Sequence, residues 1–137
     1  MVEDSTPILV GVGQYMEKDV HPLQALSPMG IAAAAAQAAL YDTGVGKALA
    51  SEIDTLAVTR IFPDSFANDR VSNGFGRAEN PPRAVAARIG ANPANAIYGT
   101  IGGNTPQKTV NEMAERISNG EVELALLTGS EAIHSAR

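Results

Sequence analysis

The stretch with the most chemical promise is Thr100-Ile-Gly-Gly-Asn-Thr-Pro-Gln107. A glycine pair there separates a short apolar run from an amphipathic segment. At a helix N-terminus the first backbone N–H groups lack intrahelical acceptors, and the helix dipole favours negative charge. Glycine also lets a ligand approach the backbone. These residues therefore fit a binding site for a ligand with negative charge, and they equally fit a tight turn with a capped helix. The other reactive side chains are scattered. His21 and His134 are the two histidines, and neither has a second ligand at metal spacing, so no metal site is expected and loop or surface positions are their default. Glu112, Glu115, Glu121 and Glu123 read as a solvated face. Ser130 sits in Thr-Gly-Ser-Glu-Ala, which lacks the second glycine of a nucleophile elbow. Gly11-Val-Gly13 begins like a dinucleotide fingerprint, but the third glycine is missing. A loop with His21-Pro22 follows where a helix should present its N-terminus, so a tight strand exit is the better reading.

The elements that must carry these residues can be read from periodicity. Pro7 to Gly13 is apolar and rich in branched residues, which predicts a strand buried on both faces. Ser27-Pro28 marks a helix start, with serine as cap and proline in the first turn. An alanine-rich helix runs to about Tyr41, with Gly44 to end it. Ile53 to Phe62 is predicted as a second strand, and residues 63–80 as a long surface loop. Pro81-Pro82 opens a short helix closed by Gly90, and Ala96 to Tyr98 makes a third strand. Thr105 is expected to cap the next helix with Pro106 as its first residue. Val110, Met113, Ala114 and Ile117 form its apolar stripe, and Glu112 pairs with Arg116 on the wet side. Val122 to Thr128 is the fourth strand. Strands alternating with helices predict an α/β fold with a mostly parallel sheet flanked by helices.

Composition narrows the function classes. With 137 residues, 45% apolar and only 4% aromatic, the chain can form one domain whose core is built of alanine and aliphatic side chains. A net charge of −5 without a basic run speaks against nucleic acid and against anionic membranes. The absence of cysteine excludes disulfides, thiolate metal sites and a cysteine nucleophile within these residues. The acidic start lacks signal-peptide character, and no apolar run approaches the ~20 residues that span a bilayer, so a soluble, cytoplasmic protein is expected.

At Gly102-Gly103-Asn104-Thr105-Pro106-Gln107 the sequence resembles the thiolase superfamily, which carries a Cys-Gly-Ser-Gly-x-Gln-like motif at the start of a buried helix after the third strand. Ile8 to Gly13 resembles that family's first strand, and Glu123 to Ala132 its strand and turn after the nucleophile helix. Asn80-Pro-Pro-Arg83 and Ala-Arg-Ile-Gly90 look most like cysteine-less thiolase-like proteins often labelled acetyl-CoA acetyltransferases. The likeness covers the whole chain. It implies that residues 1–137 form part of a thiolase-like N-terminal domain, most of the first half of a five-layered αβαβα fold. Acyl-CoA is the implied substrate or ligand, with no covalently bound cofactor. Gly102 stands at the nucleophile position, so there is no catalytic residue to assign. Gly102, Gly103, Asn104 and Gln107 are the implied substrate-binding residues, with no metal. The family's histidine motifs and main CoA-contacting segments come later than residue 137. The implied partners are a homo-oligomer, a second chain or a C-terminal half.

Overall fold

The computed structural model describes residues 3–66 and 74–135. Six regular elements follow one another: α1 (Pro28–Asp42), β1 (Thr55–Val58), α2 (Pro81–Ile89), β2 (Asn95–Tyr98), α3 (Thr105–Ser118) and β3 (Ala125–Thr128). Short 3-10 turns occupy Pro22–Gln24, Gly46–Glu52 and Phe62–Ser65. The last of these interrupts the region expected as open loop, of which residues 67–73 lie outside the described residues. The strands form one parallel sheet in the order β2-β1-β3, with Thr55 opposite both Asn95 and Ala125. The expectation of a parallel α/β sheet flanked by helices is met.

Helix boundaries follow local chemistry. Ser27 Oγ accepts from Gly30 N at 3.2 Å and Pro28 lies in the first turn, as expected for α1. Asn80 Oδ1 accepts from Arg83 N at 3.1 Å and caps α2, which ends on Gly90 in the left-handed region. Ala32, Ala33 and Ala36 of α1 meet Val85, Ala86 and Ile89 of α2 and Leu56, Val58 and Leu126 of the sheet in one core. With methyl groups on its surface, α1 lies close to its neighbours, and Thr128 Oγ1 reaches its backbone to donate to Ala32 O at 2.9 Å. Ser130 Oγ likewise donates to Pro28 O, so the exit of β3 is tied to the start of α1. β1 and β3 are shorter than their apolar runs. Asp54 explains part of this: its Oδ2 accepts from Glu123 N at 2.7 Å, so a side chain replaces ladder bonding at the start of β1 and β3.

Three expectations are corrected. Residues 7–13 are not a buried strand: no ladder includes them, and Ile8 and Leu9 are 71% and 83% exposed. Their branched side chains favour extended backbone, but a strand also needs an edge to pair with, and this segment instead crosses α1. A Cβ on Gly13 would sit 2.3 Å from Ala35 O, and one on Gly11 2.4 Å from Ala39 O, so only glycine permits this approach. The N-cap position of α3 is Asn104 rather than Thr105, which is the first helical residue. Arg116 pairs with Glu121 Oε2 at 3.6 Å beyond the helix end, not with Glu112. On α3, Met113 is buried, but Val110 is 48% exposed and faces an apolar cleft together with Ile117.

Candidate functional site

All three strands release their chains at the same end of the sheet, the end where open parallel sheets place their sites. From β2 the chain passes through Gly99 into the glycine turn. Gly102 has φ of 145°, a conformation that side chains rarely adopt, and Asn104 Oδ1 occupies space 2.8 Å from where a Cβ at Gly102 would lie. Thr105 N donates to Gly102 O at 3.1 Å, Lys108 N to Asn104 O at 3.0 Å, and Thr105 Oγ1 to Thr100 O at 3.2 Å. Asn104 makes no side-chain cap. Among the described residues, the backbone amides of Gly103, Asn104 and Gln107 have no hydrogen-bond partner. Gly103 is exposed, and a Cβ built on it would meet nothing within 4 Å. The Gln107 side chain donates to Asn111 Oδ1 at 2.9 Å along the helix.

The turn therefore presents free N–H groups to open space at the start of a 14-residue helix. Gly102, Gly103 and Asn104 lie together there, and Gln107 one turn on. None of these residues is a nucleophile, and among the described residues no base bonds to the Thr105 hydroxyl, which donates to Thr100 O.

A second group of polar residues gathers at the same end. Tyr98 OH donates to Asp64 Oδ2 at 2.7 Å and accepts from Ile61 N at 3.2 Å. The Arg60 guanidinium stacks 4.6 Å from the centre of the Tyr98 ring, and it donates to Gly99 O at 2.9 Å and to Asp64 O at 3.1 Å. Arg77 Nε stands 3.2 Å from Asp64 Oδ1. Glu131 Oε1 accepts from Phe62 N at 2.6 Å. Burial and the Asp64 hydrogen bond push the Tyr98 phenol up to about 12, so it remains a donor at neutral pH. Burial also raises the Glu131 carboxyl, against the lowering effect of the Phe62 amide. Arg60 thus locks the strand exit that leads to the glycine turn. Sequence reading missed this cluster. The usable signal was position: Arg60, Tyr98 and Glu131 each stand at or within three residues of a strand's C-terminal end.

His21 Nδ1 accepts from Leu23 N at 3.3 Å and caps a 3-10 turn. Among the described residues no group of three His, Asp or Glu side chains could hold a metal ion. No helix there is long and apolar enough to cross a membrane.

A parallel β2-β1-β3 sheet flanked by helices, with a glycine turn opening the third helix, has the fold of a thiolase-like α/β protein. The particular likeness is to the crystal structure of a monomeric SCP2-thiolase-like protein type 1 from Mycobacterium smegmatis, with 37% identity and a TM-score of 0.72. The match covers 93% of this chain and 24% of that one, so the chain spans about a quarter of its length. No protein-family model matches the chain, and neither does any curated protein.

Proposed function

We propose that the complete protein handles acyl-CoA as an acyltransferase-like member of the thiolase superfamily, of the acetyl-CoA acetyltransferase-like kind, without the standard cysteine mechanism. The observation that carries this reading is the 37% identity to an SCP2-thiolase-like protein over 93% of the chain. The free amides of Gly103 and Asn104 support it, because a thioester carbonyl is an acceptor and such donors at a helix N-terminus suit one. In a cysteine-dependent site the helix N-terminus also lowers the thiol's pKa so that the thiolate accepts the acyl group. Gly102 has no side chain to do this, and the chain contains no cysteine.

The same absence favours a second reading, a non-catalytic acyl-CoA-binding or interaction subunit. The two readings part on turnover. Acetyl-CoA and acetoacetyl-CoA are supplied to the complete protein, and CoA release and acyl-CoA binding are measured side by side. Binding with turnover supports the enzyme reading, and binding without turnover supports the subunit. Absence of binding would remove both. Residues 1–137 alone are expected to release no CoA above a heat-treated control.

A further inference from the structure

The glycine turn hangs between two anchors. Thr100, Ile101, Gly102, Gly103 and Asn104 are all exposed, while Gly99 before them and Thr105 after them are buried. Packing therefore does little to place the turn, and the Ile101 residue is 67% exposed. Thr105 ties the turn to α3, its N–H donating to Gly102 O at 3.1 Å and its hydroxyl to Thr100 O at 3.2 Å. On the sheet side, among the described residues, the hydrogen bonds are those of Gly99. Its N–H donates to Val58 O at 2.8 Å, and its C=O accepts from Arg60 Nε at 2.9 Å. The two anchors touch, since a Cβ on Gly99 would lie 3.1 Å from Thr105 Cγ2.

The guanidinium that holds Gly99 O is itself fixed. Arg60 Nη1 donates to Asp64 O at 3.1 Å, and the group stacks 4.6 Å from the centre of the Tyr98 ring. Asp64 is held in turn by Tyr98 OH at 2.7 Å and by Arg77 Nε at 3.2 Å. A lysine would offer one ammonium in place of two N–H groups at fixed spacing and a planar face that stacks. With Nε and Nη1 bonded to carbonyls, the Arg60 side chain holds backbone rather than meeting a ligand. We propose that Arg60 is a positioning residue for ligand binding at the glycine turn: through Gly99 O it fixes where the free amides of Gly103 and Asn104 stand. Donors already in place bind an acceptor more tightly than donors that must first be ordered. The identity of the ligand rests on the acyl-CoA reading, and the positioning of the turn does not.

The complete protein is compared with Arg60→Lys and Arg60→Met. Hydrogen exchange is read by mass spectrometry on overlapping peptides, and acetyl-CoA is titrated calorimetrically. Both variants should exchange the Gly99 and Thr105 amides at least tenfold faster, while the amides of α3 from Met113 onward are unchanged. Both should bind acetyl-CoA at least fivefold more weakly. Arg60→Lys separates positioning from charge: if Arg60 merely attracted a negative ligand, lysine would keep the affinity, and that result overturns the proposal. Unchanged exchange at Thr105 overturns it as well, and so does faster exchange with unchanged affinity. Exchange that accelerates uniformly through α3 and the sheet would make Arg60 a contributor to general stability and equally overturn it. Tyr98→Phe keeps the ring beneath the guanidinium and removes the hydroxyl that holds Asp64. It should accelerate the Thr105 amide at least threefold, and it decides the matter should the Arg60 variants fail to fold. Absence of acetyl-CoA binding by the unaltered protein would remove the acyl-CoA reading, and the exchange rates at Gly99 and Thr105 would still uphold or overturn the role of Arg60.

Discussion

Gly102 combines a positive φ with a neighbour, Asn104 Oδ1, in the space a side chain would need. Gly102→Cys therefore cannot simply restore a thiolase nucleophile. The strained backbone costs about 1–3 kcal/mol, and the new thiol would still lack an acid–base partner among the described residues. Its melting temperature should fall by several degrees and CoA release should stay at background. Activity in this variant would refute the account of the turn. Tyr98 gives a residue-level test of the polar cluster. Its folded pKa, about 12, exceeds the unfolded value near 10, so between these values the folded state holds more protons. The contribution to stability is full below pH 10 and is lost as pH rises through 12. Melts between pH 9 and 12 should show a decline that Tyr98→Phe flattens, and parallel declines would contradict the assignment. The glycine turn was legible in the sequence because paired glycines directly before a proline-led helix mark a turn by local chemistry alone. The Tyr98–Asp64–Arg60 group was not, since 34 residues separate Tyr98 from Asp64 and only the sheet order brings them together.

At the scale of elements, α1 and α2 could be read almost to the residue, because Ser27-Pro28, Pro81-Pro82 and Gly90 each leave a local signature. The first strand could not, since pairing depends on an edge that no local pattern encodes. Residues 7–13 carry strand composition but join no ladder, and Gly11 and Gly13 lie close against the backbone of α1. Gly13→Ala puts a methyl group against the backbone of Ala35 and Ala39, which cannot move without bending the helix. The segment should lift away while the core of α1, α2 and the sheet remains. Limited proteolysis should then cut near residues 7–13 much faster than in the unaltered protein, with a melting temperature changed by little. Unchanged proteolysis would show that the segment is held by something other than this close approach.

The whole molecule leaves much apolar surface on one side. Ile8, Leu9, Val10 and Val12 are all at least 48% exposed, and α3 turns Val110 toward the same cleft. Apolar area left in water forgoes roughly 25 cal/mol per Å², so an uncovered patch of a few hundred Å² compares with a total stability of about 5–15 kcal/mol. That imbalance agrees with a chain spanning 24% of the thiolase-like structure it matches. The acyl-CoA reading proposed above requires a ligand to occupy the space above Gly103. A Cβ at Gly103 meets no atom within 4 Å, so Gly103→Val is expected to block a ligand there without disturbing the fold. Calorimetric titration of acetyl-CoA into the complete protein and its Gly103→Val variant is the most direct test. The account predicts at least tenfold weaker binding in the variant at unchanged helix content, and equal affinity in the two proteins would contradict it.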